Sequence, residues 1–267
     1  MTRSPSLKIP KSKARILVII ATLGEREALL RQTLASIQRQ KIDLDLVFVC
    51  PLDNESTRKL AKEFGAVRLK DPGGISAAVN VGIAAAKPWH EYISLIGDDD
   101  LLADNSLSAT SSALDKNHSA VAAFGYCEYI NSDGEYIITS RAGRLAPWIM
   151  KWGPDFVPLP GALFRTSALV AIGGFDPSLK YAMDLDVFLR LQKIGKLVNV
   201  GMVVSSFRWH QNSATVSNRK ASSDESERVK RNHLSSIPRA LSFIWERPIR
   251  IASSFAAKRI TALANKK

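Results

Sequence analysis

Three consecutive aspartates, Asp98, Asp99 and Asp100, follow Gly97 at the end of an apolar segment. Adjacent carboxylates repel one another, so folding alone does not favour such a run. Carboxylate oxygens are the ligands that Mg²⁺ and Mn²⁺ prefer, and one or two carboxylates together with substrate phosphates complete their coordination. We therefore expect a divalent cation at this run, with an exposed acidic turn as the alternative.

A second acidic pair, Asp184 and Asp186, lies at the start of an apolar segment with helical spacing, residues 183–194. A carboxylate in the first turn of a helix is favoured by the positive end of the helix dipole, so capping alone accounts for one of the two. Two acids beside an apolar helix also suit a site in which one carboxylate faces a ligand and the other holds the structure.

A basic and aromatic segment, residues 205–210, follows the last predicted strand. His210 is a candidate metal or phosphate ligand, and a packed histidine with ordinary hydrogen bonds is the alternative. Arg208 and His210 alternate around Trp209, so both face the same side if the strand continues. The remaining histidines lack such a context and are expected at the surface: His90, His118 and His233.

The elements that must position these residues alternate along the first hundred positions. Apolar, β-branched segments predict strands, with helical segments between them, at 15–21, 45–50, 66–69 and 91–96. Such alternation predicts a parallel sheet covered by helices. Ligands bind beyond the carboxyl ends of parallel strands, and three polar segments follow such ends: 22–25, 50–54 and 97–100.

The second half of the chain is less regular. A strand is expected over 195–204, after the helix that begins at Met183. The polar stretch 218–229 predicts a mobile loop or a frayed helix. The tail from residue 237 onward is basic and amphipathic, and Pro248 is expected to divide it into two helices.

The composition excludes several classes of protein. Of the 267 residues, 46% are hydrophobic and 23% are charged, values that exclude disordered, collagen-like and multi-span membrane chains. Cys50 and Cys127 have no partner at ligand spacing, so a zinc site or disulfide framework is not expected. We expect two buried thiols in a reducing cytoplasm. No stretch of about 18 apolar residues occurs and no signal peptide is evident, so any membrane contact is expected to be peripheral.

The net charge of +12 is concentrated at the two ends of the chain. Residues 1–15 carry five Lys or Arg and no acid, and residues 219–267 carry twelve against four acids. A nucleic-acid enzyme more often has its basic charge across the working face, so we expect no nucleic-acid partner. Basic ends on a nearly neutral body fit an anionic membrane surface, unless they only maintain solubility.

Taken together, five segments resemble the family 2 glycosyltransferases, inverting enzymes of the GT-A fold. They are 17–22 with Glu25 and Arg26, 34–38, 74–82, the acidic run 98–100, and 173–176 through 183–190. The resemblance implies an α/β protein with a single Rossmann-like mixed sheet flanked by helices. On this basis residues 15–217 form the catalytic domain, between a flexible basic arm (1–14) and a polar linker with a basic amphipathic helical tail (218–267).

The resemblance also implies the reaction and its residues. A nucleotide-diphosphate sugar donates one sugar to a hydroxyl of a glycan or lipid-linked acceptor, with Mn²⁺ or Mg²⁺ as cofactor. Asp184 aligns as the catalytic base, because Met183 stands where the family usually has Glu. Metal ligation falls on Asp98, Asp100 and His210. The donor-binding residues are expected to be Thr22, Glu25, Asp53, Gly74, Asp98, Asp99, Arg208 and His210.

Two alternatives remain open at the level of sequence. The first is a nucleotidyltransferase of sugar-nucleotide synthesis, although the loop 22–26 has a single glycine instead of a glycine-rich phosphate loop. The second is a non-catalytic protein that binds sugar nucleotides. Family analogy and the basic tails favour a role in bacterial surface polysaccharide synthesis, at the inner face of the membrane. A homo-oligomer is also possible.

Overall fold

A computed structural model describes residues 13–141, 143–209 and 218–265 of the chain. The strands are β1 (Ile16–Ala21), β2 (Leu44–Cys50), β3 (Val67–Lys70), β4 (Tyr92–Leu95), β5 (Leu101–Leu102), β6 (Ala120–Ile130), β7 (Tyr136–Ser140), β8 (Leu163–Arg165) and β9 (Lys196–Arg208). The helices are α1 (Glu27–Gln38), α2 (Glu55–Phe64), α3 (Ile75–Ala84), α4 (Ser106–Asp115), α5 (Ala146–Ile149), α6 (Thr166–Ala171), α7 (Met183–Leu191), α8 (Arg219–His233), α9 (Ser236–Leu241) and α10 (Phe243–Ala264). A 3₁₀ turn (Gly143–Leu145) precedes α5.

The described strands form one mixed sheet in the order β3-β2-β1-β4-β8-β6-β9-β5, with β7 paired to β6. The first half, β3-β2-β1-β4, is parallel, and Ile19 of β1 lies between Val47 of β2 and Leu95 of β4. The mixed α/β fold expected from the sequence is therefore confirmed. All four predicted strands of this half are present within one residue of their expected ends.

Side chains of β1 alternate between two apolar layers, as they must in a strand that is covered on both faces. Leu17 and Ile19 pack with α3, α6 and α7, while Ile16, Val18 and Ile20 pack with α1, α2 and α4. The predicted burial of both cysteine thiols is confirmed, since Cys50 and Cys127 are buried and unpaired by disulfide.

The second half of the sheet ties the acidic run to β9. The short strand β5 follows Asp100 directly and pairs antiparallel with β9, with Leu101 opposite Ser206. β9 also runs parallel to β6 over most of its length. The end of β4 and the end of β9 are thereby held side by side.

Two of the segments that carry the family resemblance, 74–82 and 173–176, pack against each other or against the sheet through α3. A β-carbon on Gly82 would lie 2.4 Å from Ile19 Cγ2, so only glycine lets α3 approach β1 this closely. The Asn80 side chain donates to the backbone oxygen of Phe175 over 2.7 Å and accepts from its N–H over 2.8 Å. Gly174 has φ +73° and leaves no room for a side chain against Asn80. These contacts join α3 to the segment that leads into α7.

The C-terminal segment differs from its sequence-based expectation. Of the two alternatives for residues 218–229, a mobile loop or a frayed helix, the structure has a helix, α8, which ion pairs join to α10: Arg250 contacts Asp224 over 2.8 Å and also pairs with Glu227. The break between the tail helices lies at Ser242, and α10 continues through Pro248. Pro248 has no N–H to donate to the helix, yet the helix continues on both sides of it.

Two histidines are also placed differently from expectation. His90 is buried, with Nδ1 accepting from the N–H of Lys87 over 2.9 Å and Nε2 2.8 Å from the carboxylate of Asp45. His233 contacts Asp186 of α7. His118 is exposed, as predicted. Over the described ranges, the chain has no helix long and apolar enough to cross a membrane.

Candidate active site

The acidic run lies between β4 and β5, at the carboxyl end of the parallel half-sheet. Asp98 and Asp100 are buried there. The hydroxyl of Thr22, at the end of the adjoining β1, donates to Asp98 Oδ2 over 2.6 Å. The guanidinium of Arg26 pairs with both Asp98 and Asp99. The structure thus brings the expected carboxylates together with Thr22 and adds one cation, Arg26.

Burial disfavours the charged form of two carboxylates in this turn, Asp98 and Asp100. Burial, with a further contribution from the charge of Asp99, raises the pKa of Asp100 to about 8. Burial also raises the pKa of Asp98, although the contacts with Thr22 and Arg26 oppose that shift. A bound divalent cation stabilises carboxylates in their charged form, so the turn is suited to receive one.

Gly97 leaves room for these carboxylates to fold back over the turn. A β-carbon at this position would lie 2.9 Å from Asp100 Oδ2 and 3.1 Å from Asp99 Oδ1. Among the described residues, no group of three or more His, Cys, Asp or Glu side chains is arranged to hold a metal. Asp98 and Asp100, both buried in this turn, carry the oxygen ligands that a divalent cation prefers, and substrate oxygens would complete its coordination.

Arg208 is completely buried at the end of β9, and its contacts hold the acidic turn. Its Nε donates to the backbone oxygen of Asp99 over 3.0 Å, and its backbone N–H donates to Asp100 Oδ1 over 3.0 Å. Its Nη groups donate to Gln32 and to two backbone oxygens in the turn between β6 and β7. Burial lowers the pKa of Arg208. The predicted contact with the donor diphosphate stays a prediction, and His210 lies outside the described residues.

A cavity of about 760 Å³, the strand-end cavity, opens beside this turn. Four residues expected at the donor line it, namely Thr22, Glu25, Gly74 and Asp98. Asp53, also expected there, is exposed and does not belong to this lining, and its role stays a prediction. Asp71, which follows β3 and was not singled out from the sequence, lines the cavity instead.

A second cavity of about 400 Å³, the central cavity, joins the acidic turn to α7. Arg26, Asp99 and Asp100 line one side, and Met183, Asp184 and Phe207 line the other. Asp184 is partly buried and lies in the first turn of α7, where its Oδ1 accepts from the N–H of Leu185 over 2.8 Å. The two acidic motifs, 84 or more residues apart in sequence, therefore meet at one cavity.

Asp184 also lines a third cavity of about 220 Å³, the aromatic cavity, together with Asp155. Its aromatic walls are Tyr129, Phe156, Tyr181, Phe207 and Trp209. Burial and then the charge of Asp184 raise the pKa of Asp155 to about 8, and burial raises the pKa of Asp184 as well. Two nearby carboxyl groups do not readily ionise together, so the titration of Asp155 is linked to that of Asp184.

Asp186 points away from these cavities into a structural cluster. Its Oδ2 accepts from Arg190 Nε over 2.7 Å, and its Oδ1 lies 3.1 Å from His233 Nε2. Despite its burial, these partners lower the pKa of Asp186. The sequence suggested that one acid of this pair faces a ligand and the other holds the structure. The positions of Asp184 and Asp186 agree with this suggestion.

Three residues of the site had no role assigned to them from the sequence. Arg26 lies in the loop after β1 and could have been noted as a cation near the acidic run. Asp71 occupies a strand end, which was a usable signal. Asp155 lies in an irregular loop before β8, and no local pattern marks it.

Comparisons with known proteins place this geometry in context. The family model described as glycosyl transferase family 2 matches residues 17–174, more than half of the chain. Among solved structures, TarS from S. aureus is similar with TM-score 0.60 and 16% identity, over 85% of this chain and 41% of TarS. The mannosyltransferase PcManGT from Pyrobaculum calidifontis, solved with GDP-Man and Mn²⁺, is similar with TM-score 0.62 and 15% identity, over 95% of this chain and 75% of that one. The chain thus spans about two fifths of the length of TarS. A search of curated proteins finds no significant match.

Proposed function

We propose a specific reaction for this chain, which belongs to glycosyl transferase family 2 and is a glycosyltransferase of the GT-A fold. The proposed reaction transfers one sugar, with inversion, from a nucleotide-diphosphate sugar to a hydroxyl of a glycan or lipid-linked acceptor. One observation carries this proposal: the central cavity has the acidic turn on one side and Asp184 on the other.

The donor is assigned to the strand-end cavity. Its volume of about 760 Å³ suits a nucleotide, and Gly74 lies there at the N-cap of α3. Backbone N–H groups at a helix start favour phosphate. The similarity to a mannosyltransferase solved with GDP-Man supports a nucleotide sugar as the donor class.

Asp98 and Asp100 are the proposed metal ligands, and His210 stays a candidate third. A bound Mn²⁺ or Mg²⁺ would neutralise the negative charge that develops on the leaving diphosphate. Thr22 and Arg26 orient Asp98, and Arg208 fixes the backbone of the turn. Arg26 adds positive charge on the same side of the cavity.

Asp184 is the proposed general base. As the acceptor oxygen bonds to the anomeric carbon, Asp184 takes the proton of that hydroxyl, and the bond to the diphosphate breaks. Burial makes the Asp184 carboxylate a stronger base than an exposed aspartate. Such assistance is typically worth about 10²–10⁴ in rate.

The acceptor is assigned to the aromatic cavity, on the far side of Asp184 from the donor. Aromatic rings and carboxylates together suit a polar molecule with apolar faces, as a sugar ring has. We place the reaction in bacterial surface polysaccharide synthesis, on the cytoplasmic side of the membrane. A nucleotidyltransferase is the alternative, and it would release pyrophosphate instead of a nucleoside diphosphate.

The first test measures thermal unfolding with a panel of nucleotide sugars, including UDP-glucose, UDP-N-acetylglucosamine and GDP-mannose, with and without Mn²⁺. A donor at 100 times its Kd adds about 2.7 kcal/mol. That corresponds to a rise in Tm of roughly 5–10 °C for a chain of this size. The rise should require Mn²⁺ and vanish in Asp98→Asn. Metal-independent stabilisation, or full transfer activity in excess EDTA, would contradict the proposed site.

An anionic membrane surface is the proposed location of the acceptor. The outward face of α9 and α10 carries exposed apolar side chains at helical spacing: Ile237, Leu241, Ile244, Ile251 and Phe255. Exposed Arg247, Lys258 and Arg259 flank them. Glu246 and Arg250 form ion pairs with α8 on the opposite side. An apolar face with basic edges that is turned outward suits the headgroup region of a membrane.

Vesicle binding tests this location. We expect the full chain to bind vesicles that contain phosphatidylglycerol at low salt, and not neutral phosphatidylcholine vesicles. The double variant Ile251→Ser, Phe255→Ser should lose most of this binding, whereas Val170→Ser, a comparably exposed apolar position on α6, should not. Equal binding to neutral vesicles, or oligomers that the double variant dissociates, would instead favour a protein partner on this face.

A further inference from the structure

The start of α7, which carries Asp184, is fixed by a carboxylate from a distant segment. Ala182 precedes α7 and makes no side-chain cap hydrogen bond. Instead, Glu225 of α8 accepts from the backbone N–H groups of Lys180 over 3.1 Å, Tyr181 over 2.5 Å and Ala182 over 3.0 Å. Local side chains normally satisfy N–H groups at a helix start. Here the acceptor lies 43 positions further along the chain from Ala182, and it holds the N–H groups of this cap residue and of the two residues before it.

Glu225 is well placed to hold these groups. Its side chain is only 10% exposed, and its ion pair with Arg228 is long, at 3.4 Å. The carboxylate is therefore stabilised mainly by the three N–H groups and by the positive end of the α7 dipole. Removing it would leave three donors without their partner and would free the backbone that leads into Asp184.

Helix α8 contacts the same region at further points. His233 lies 3.1 Å from Asp186, two residues after Asp184. Ser222 and Ser226 line the aromatic cavity beside Asp184. One face of α8 thus contacts the backbone before α7, a side chain in its first turn and the cavity next to it.

We propose that Glu225 is a positioning residue for Asp184: by holding the three N–H groups before α7, it directs Asp184 into the central cavity. Helix α8 is then part of the reacting centre, although it lies beyond residues 17–174 that the family model matches. This inference rests on the proposed function, in which Asp184 is the base.

The charge of Glu225 has a second, smaller effect on Asp184. After burial, this charge contributes to the raised pKa of Asp184. The other charged groups nearest to Asp184 are Asp155, from the loop before β8, and Lys230 of α8, which attracts Asp155. The remaining titratable side chains of the two cavities are Cys127, Tyr129, Tyr181, Arg26, Asp99 and Asp100. Removing the charge of Glu225 lowers the pKa of Asp184, so the acid limb of the kcat profile moves to lower pH.

The experiment compares Glu225→Ala and Glu225→Gln in the full chain with a control, Asp224→Asn. Asp224 neighbours Glu225 on α8, but its half-exposed carboxylate pairs with Arg250 and does not contact α7. Hydrogen exchange of amides 180–182 is measured without any ligand. Nucleoside diphosphate release is measured as kcat and donor KM against pH, with the donor that the nucleotide-sugar panel identifies.

For Glu225→Ala we expect faster exchange at residues 180–182 and a kcat lowered by roughly tenfold or more, with donor KM within about twofold, because the base is displaced while the donor site is intact. Glu225→Gln keeps an acceptor oxygen and loses the charge, so it should retain more of the kcat while its acid limb still moves to lower pH. If Glu225→Ala does not fold, the same amide exchange and kcat measurements on Glu225→Gln test the inference.

Two results would overturn the inference: unchanged amide exchange in the Glu225 variants, or a lowered Tm with kcat and its pH limb unchanged. Asp184→Asn separates this outcome from failure of the proposed function. If Asp184→Asn loses kcat and the Glu225 variants do not, only the positioning role is wrong. If Asp184→Asn keeps kcat, the assignment of the base is wrong, and the amide exchange still reports whether Glu225 caps α7.

Discussion

The two sides of the central cavity are built in different ways from the same kind of residue. The donor side uses Asp98 and Asp100 in one turn, held by Arg26 and Arg208. The acceptor side uses Asp184 at the start of α7, which α8 holds, together with Asp155 from a loop that lines the adjoining aromatic cavity. Both pairs are carboxylates whose burial raises their pKa values.

What differs is how each pair relieves its unfavourable charge. In the proposed function, two carboxylates in one short turn would offer oxygens to a single cation, and phosphate oxygens would complete its coordination. Asp155 and Asp184 lie on separate elements, and the basic side chain of Lys230 is beside Asp155. A proton bound to one of the two carboxylates reduces their repulsion. In the proposed function, the same chemical group is a metal ligand on one side and a base on the other, because the backbone spacing and the neighbouring charges differ.

The largest effect is expected for the donor side. Asp100→Asn removes a proposed metal ligand and should lower kcat/KM by about 10³-fold, since metal stabilisation of the leaving group is worth several kcal/mol. Nucleoside diphosphate release with varied Mn²⁺ measures this loss. Asp104→Asn is the control, because that side chain is 72% exposed and lies outside the cavity. Equal losses in both variants would contradict a specific role of the acidic turn.

Arg208→Met tests whether the donor side is held by buried contacts. The variant leaves several backbone oxygens without their donor, and we expect a loss of about 3 kcal/mol in the free energy of unfolding by urea. Arg58→Met, which breaks an exposed ion pair with Glu55, should cost less than about 1 kcal/mol. A stable Arg208→Met with lost donor affinity would instead support the diphosphate contact that the sequence suggested.

The smallest effect is expected for Asp155→Asn, and it depends on pH. The folded protein keeps the Asp155 proton up to about pH 8, whereas the unfolded chain loses it near the ordinary value for aspartate. The folded state therefore binds more protons in that window, and wild-type stability falls as pH rises through it. Asn cannot ionise, so the variant should become more stable relative to wild type as the pH rises towards 9, and should show no such advantage at pH 4.

Thermal unfolding between pH 4 and 9 measures this difference, with Asp133→Asn as a control at an exposed carboxylate. An advantage that is independent of pH would mean that Asp155 is not protonated in the folded protein. If the kcat of the wild type also changes near pH 8, and the kcat of Asp155→Asn does not, then the titration of Asp155 affects activity as well as stability.

The donor side could be predicted largely from the sequence, and the acceptor side only in part. The strand ends after β1 and β4 bring Thr22 and Asp98 together because parallel strands align their carboxyl ends. The resemblance to family 2 glycosyltransferases is confirmed by the family match. Asp184 was identified through that resemblance, and its position on the central cavity agrees with the assigned role without testing it.

The remaining residues depend on packing between segments that no local pattern connects. Glu225 meets α7 across 43 residues, and Asp155 meets Asp184 through a loop without regular structure. Helix α8 is too polar for an apolar stripe to reveal it, and its ion pairs with α10 fix it in place. β5 contains only two residues, too few for a strand pattern, yet it determines where the acidic run lies.

The most direct test of the division between the two sides is Asp184→Asn, measured for donor binding and turnover on the same sample. We predict a kcat lowered by about 10²–10⁴-fold, with the Mn²⁺-dependent Kd for the donor within about twofold of wild type, because the base and the donor site lie on opposite sides of the cavity. A near wild-type kcat, or donor affinity that falls in parallel with kcat, would contradict the account.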